Sequence, residues 1–147
     1  MKKLLLNNGT GFNLDLGLLL IRVILGVLMA FYGYAKLTHF NEMAASDFWG
    51  KNISFLGMTG AVPLALTIFA ELFCSLLLIV GLFSRFSLII LAFCMAYIFL
   101  VVFPFQIVSK GDNGFEFNSA FTYFIIYVAL LLTGVGKYSL DAKLFDK

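Results

Sequence analysis

The chain has 147 residues, of which 62% are hydrophobic, 17% aromatic and only 12% charged, with a formal net charge of +2. Soluble domains carry roughly 25% charged residues, so this composition excludes a free soluble enzyme, a secreted domain and a disordered chain. The small net charge also excludes the basic stripe of a nucleic-acid binder. A membrane-crossing helix needs about 20 apolar residues, so four crossings account for most of the chain, and residues 1–147 read as a single membrane domain.

The N-terminal MKKLLLNNGTGFN has two lysines but too short an apolar run for a cleaved leader, which leaves the first span to act as its own insertion signal. That span is expected at 15–37, opening at Asp15, whose carboxylate suits a helix N-terminus. It contains one interior charge, Arg22, and closes at Lys36. The next 24 residues include Met43, Phe48, Trp49 and Phe55 among charges and predict a short interfacial helix with Trp49 at headgroup depth. His39 reads as an interfacial residue.

The second span, 62–83, has Pro63 in its first turn, where proline is tolerated, and one interior charge, Glu71. The third, 86–105, follows a two-residue link, which makes the two helices antiparallel neighbours, and Pro104 should stop or kink it. A turn-rich polar connection precedes the fourth span, 117–136, which is uncharged and ends in TGVG. Apolar runs of this length do not suit barrel strands. The expected fold is all-α, an antiparallel transmembrane four-helix bundle with a short interfacial helix between the first two spans. Lys2, Lys3, Arg85, Lys137, Lys143 and Lys147 then share one side, against Lys51 and Lys110 opposite, so the positive-inside rule puts both termini in the cytoplasm.

Charges inside a span are costly and mark sites by default. Arg22 is seven residues from the start of its span and Glu71 twelve from the cytoplasmic end of its own. At about 1.5 Å per residue the offset is roughly 7 Å, so an Arg22–Glu71 pair is expected, either as a clamp between helices or as a ligand or proton site. Lys36 and Glu116, at the outer ends of the first and fourth spans, form a second candidate pair or simply reach solvent. Cys74 and Cys94 are equidistant from Ser84 and form a candidate thiol couple, although cysteine is also a common buried hydrophobe. Tyr97 and Tyr127 are deep enough to need hydroxyl partners or to line a pocket for a planar ring such as a quinone. With one histidine, a haem with two histidine ligands from this one chain and a multi-histidine metal centre are excluded, and without CxxC spacing neither a disulfide framework nor a zinc site is indicated. No metal ligand set is expected.

These residues resemble the DoxX family of small four-helix membrane proteins. The resemblance rests on the arginine of LLLIRVILG and the following GYAK, on the proline and glutamate of the second span with the GLFSR that follows, and on NGFE and the terminal GVGKYSLDA. The family-like positions are Arg22, Gly33, Lys36, Pro63, Glu71, Gly81, Arg85, Glu116 and Asp141. One departure is Tyr32, where family members often carry histidine, which puts in doubt any role that needs an imidazole. The resemblance implies a companion of catalytic proteins in membrane redox complexes, some of them quinone-linked. Two readings follow: an accessory subunit of a larger complex in the bacterial inner membrane, or a quinone-linked oxidoreductase subunit with the quinone head near Arg22, Glu71 and the inner tyrosines and Glu71 handling protons. The resemblance leaves open whether the chain is an enzyme. A small-solute transporter is the weakest alternative, because no inverted repeat is present.

Overall fold

The computed structural model describes residues 12–111 and 114–145. The first helix, α1, is Phe12–Thr38, starting before the predicted Asp15. After a six-residue helix, α2 (Phe40–Ala45), the chain makes a π-helical turn over Phe48–Asn52 and a small antiparallel hairpin, β1 (Ser54–Phe55) with β2 (Met58–Thr59). Helix α3 (Ala61–Val80) and helix α4 (Ser84–Val102) follow. A second hairpin, β3 (Val108–Gly111) with β4 (Gly114–Phe117), then leads into α5 (Ser119–Thr133) and the short α6 (Leu140–Phe145).

Helices α1, α3 and α4 are long and apolar enough to cross a membrane, while α5 has 15 residues. At about 1.5 Å per residue α5 is roughly 22 Å long, so the predicted fourth span of 117–136 is too long at both ends. Phe117 belongs to β4, and Asn118 caps α5 by accepting from the amides of Ala120 (2.9 Å) and Phe121 (3.4 Å). Gly134 then stops the helix with φ 81°. The other boundaries also have local causes. In α3, the amides of Gly81 and Leu82 turn back to Leu78 and Leu77 at 3.1 and 3.0 Å with Gly81 left-handed, a Schellman stop that ends the helix before the predicted Phe83. In α4 the helix ends at Val102, two residues short of Pro104, because the residue preceding proline is disfavoured in the helical region. The turn-rich polar connection before α5 holds the β3–β4 hairpin, and the connection after α2 holds β1–β2.

Packing is closest between α1 and α3, α3 and α4, and α4 and α5. Two glycines set the first contact. A Cβ on Gly26 would sit 2.5 Å from Ile79 Cγ1, and one on Gly33 would sit 2.6 Å from the Leu72 backbone nitrogen. This close approach of small residues is how membrane helices pack without a hydrophobic driving force. Leu25 and Met29 of α1, Cys74 and Leu78 of α3, Leu91 of α4 and Tyr127 of α5 share one core. The outward faces are apolar too, with Phe31, Phe73, Phe86 and Phe93 exposed, which suits lipid.

Gly33→Ala should cost about 1–3 kcal/mol, since the methyl meets backbone that cannot yield. Gly17→Ala, with nothing within 4 Å, should instead stabilise by about 0.5–1 kcal/mol. Thermal unfolding in detergent reads both, and equal effects would contradict the packing.

Candidate functional site

The two intramembrane charges do not meet. Glu71 is held by Lys36, whose Nζ donates to both carboxylate oxygens at 2.5 Å. The Glu71 side chain is 3% exposed and that of Lys36 is 18%. The expected Arg22–Glu71 pair is therefore corrected, and the reason lies in the helix levels. The prediction took the helix ends as level. The close approaches put Gly33 beside Glu71 and Leu72, Gly26 beside Ser75 and Ile79, and Arg22 beside Gly81. Arg22, eleven residues before Gly33, is thus about 16 Å along the axis from the Glu71 level, and α1 runs well past the end of α3. The same geometry corrects the Lys36–Glu116 pair: Lys36 turns inward to Glu71, and Glu116 stands exposed on β4.

Glu71 lies in a π-helical turn, Phe69–Cys74, within α3. Such an insertion widens the helix locally and is common at functional sites. The Lys36 Nζ also sits 6.0 Å from the centroid of the Trp49 ring, within cation–π reach. Trp49 is buried against Ile53, Leu64 and Ile68: the π-helical turn at Phe48–Asn52 brings the ring into the protein.

On its other side Trp49 lines a cavity of about 260 Å³ between α3 and α4. Thr67, Ala70 and Cys94 form inner wall, and Phe93 and Tyr97 are aromatic lining. The β1–β2 hairpin covers this region: Phe55 meets Phe93 and Tyr97 edge-on at 6.3 and 5.6 Å, and the Tyr97 hydroxyl donates to the Ser54 carbonyl. Of the two deep tyrosines, only Tyr97 reaches the cavity. Tyr127 is fully buried and stacks on Tyr123 at 6.1 Å. Cys74 is buried and Cys94 partly so, and both thiols are free. His39 is exposed, with its Nδ1 beside Thr38 Oγ1 and the Ala35 carbonyl.

Arg22 serves the opposite end of the bundle. It is 1% exposed and donates to the carbonyls of Val135 (3.3 Å) and Tyr138 (3.0 Å). This ties the segment after α5 to α1. There Ser139 caps α6 through the Ala142 amide at 3.2 Å, and Asp141 accepts from the amides of Phe83 and Ser84 at 2.8 and 2.7 Å. The carboxylate thus caps α4 from a distant part of the chain. Burial alone would raise its pKa, but the Ser84 and Phe83 donors and the Arg22 guanidinium outweigh it and hold the carboxyl below the usual value. Sequence reasoning marked Asp141 only by resemblance, because a cap supplied from 57 residues away leaves no local spacing to read. It missed the cavity lining of Trp49, Thr67, Ala70 and Phe93 altogether. Among the described residues no cluster of three or more metal-ligating side chains occurs.

With this geometry in hand, the DoxX family model matches residues 17–104, and the chain belongs to the DoxX family: it is an integral membrane protein. An uncharacterised protein of Haemophilus influenzae is 30% identical over 136 residues, covering 86% of this chain and 90% of its own. No solved structure matches.

Two outcomes follow from the charges. Lys36→Met should destabilise by about 3–5 kcal/mol by stranding Glu71, and adding Glu71→Leu should recover most of that loss; denaturation of the three variants measures it, and an additive double loss would contradict it. For Asp141, a depressed folded pKa means stabilisation that is present above the unfolded value of about 3.9 and lost as pH falls through the lower folded one. Asp141→Asn should flatten that acid-side decline in thermal stability while leaving the alkaline side unchanged.

Proposed function

We propose that the chain is a membrane-embedded accessory subunit that seats a planar lipophilic ring, of the quinone class, in the α3–α4 cavity, while partner proteins of a larger complex supply the electrons. The observation that carries this reading is the cavity itself. At about 260 Å³ and lined almost wholly by apolar and aromatic side chains, it is slightly smaller than drug-sized pockets, which suits one substituted ring. Leu66, Phe69 and Phe93 line it and are exposed on the apolar flank, so a prenyl tail would leave into hydrocarbon. Trp49 separates the ring from Lys36–Glu71 and would stack on it. Glu71 is the proton-handling candidate, Tyr97 orients the covering hairpin, and Cys94 lies on the wall.

In this reading α5 is the fourth crossing, its shortness offset by local thinning and flanking apolar residues, and the whole chain is one domain in a bacterial inner membrane. The lysine and arginine count supports cytoplasmic termini, and α2 then lies in the outer interface. A purely structural role as a complex anchor is the second reading. It is favoured by Arg22, whose guanidinium is taken up by backbone carbonyls rather than turned toward a ligand.

Trp49 is the single tryptophan, so its fluorescence reports on the cavity. In lipid nanodiscs, a short-chain quinone should quench it saturably. Ala70→Phe should weaken that quenching at least tenfold, while Leu132→Phe, on an exposed face of α5, should not. Quenching that rises linearly without saturation, equal in all three proteins, would leave the anchor reading.

A further inference from the structure

Two sets of hydroxyls in these helices contrast. Thr67, Thr122 and Thr133 donate back to carbonyls four residues earlier, a common arrangement in apolar helices. Ser75, Ser87 and Tyr127 do not. All three are 0% exposed, and their hydroxyls have no partner among the described residues. The Arg22 Nε is likewise buried and unpartnered. Stranding a buried polar group costs about 1–3 kcal/mol, and interiors that gather several such groups ordinarily satisfy them with internal water.

The groups also form a succession. Ser75 follows Glu71 by one turn of α3, and Tyr127 shares one core with Cys74 and Leu78, the α3 residues on either side of Ser75. Because α3 and α4 are antiparallel about the turn at residues 81–83, Ser87 stands level with about Leu77 and Leu78, beyond Ser75. One turn further, Ser84 lines a cavity of about 630 Å³ at the α3–α4 turn, with Asp15, Lys137 and Asp141 around it. The axial steps are about 6 Å from Glu71 to Ser75, and about 4 Å each from Ser75 to Ser87 and from Ser87 to Ser84. At the other end, the Lys36 side chain keeps partial exposure.

We propose that these hydroxyls line a file of internal water joining the Lys36–Glu71 pair to the cavity at the α3–α4 turn, and that the file carries protons across the bundle with Glu71 as its relay carboxylate. Each transfer passes one proton from a donor oxygen to the next acceptor. A proton entering from the cavity is matched by one leaving past Lys36, so nothing is oxidised, reduced or consumed. This activity does not depend on what fills the α3–α4 cavity.

The test uses the whole chain in lipid vesicles loaded with a pH-sensitive dye, with a potassium diffusion potential imposed by valinomycin. Proton entry should exceed that of protein-free vesicles. Tyr127→Phe and Ser87→Ala should each slow it at least fivefold, and Tyr123→Phe should leave it unchanged. Thermal stability gives a second readout that does not require transport. If water bridges the hydroxyl, Tyr127→Phe strands that water and lowers the melting temperature; if the hydroxyl is dry, the same change removes an orphan group and raises it. Entry no faster than in protein-free vesicles, or a raised melting temperature for Tyr127→Phe, would overturn the proposal.

Discussion

A carboxylate buried among hydrocarbon side chains has to be neutralised where it stands, and the arrangement around Glu71 follows from that requirement. Lys36 meets it with two short hydrogen bonds. For the lysine to arrive there, α1 must approach α3 closely enough for Gly33 to lie against the Glu71 and Leu72 backbone. The lysine stem must also turn inward at the end of its helix, where the Trp49 ring receives it. The burial of Trp49 in turn draws the connection after α1 over the α3–α4 cavity. Desolvating such a pair costs several kcal/mol per ion, so it is a poor source of stability by itself. What it confers is register, because a slip of α1 by one turn would leave both charges alone.

The far end of the bundle has a separate arrangement with the opposite polarity. There a buried arginine binds backbone carbonyls and a carboxylate caps a helix N-terminus, Arg22 on Val135 and Tyr138, and Asp141 on Phe83 and Ser84. Together they close the segment after α5 over the α3–α4 turn. Gly81 has to be glycine for this: its φ is 76°, and a Cβ there would stand 2.7 Å from the Arg22 guanidinium and 2.8 Å from Ser139 Cβ. Two centres about 16 Å apart along α1 thus tie the helices at different depths.

The sequence made the membrane setting and the long helices legible, because apolar runs, Pro104, Gly81 and Gly134 act locally. It also singled out Arg22, Glu71 and Lys36 as residues that need an explanation. Their partners were not legible. Pairing depends on the relative level of the helices, and that level is set by how far α1 projects past α3, which no spacing along one helix encodes. The π-helical turn at Glu71 adds to the difficulty, because it shifts the face of every residue after it relative to an ideal helix. The inward turn of Trp49 was not legible for a similar reason. Its composition suits an interface equally well, and only the turn at Phe48–Asn52 decides that it points inward.

The Lys36–Glu71 contact is the claim on which the levels of the helices, the position of Trp49 and the role of Glu71 all rest. A solid-state NMR distance measurement in lipid bilayers, between a nitrogen-15 label on lysine Nζ and a carbon-13 label on the glutamate side-chain carboxyl, tests it directly. The account predicts strong dipolar coupling corresponding to less than about 4 Å, abolished by Lys36→Met. Coupling of the Glu71 carboxyl to labelled arginine, with none to lysine, would contradict it.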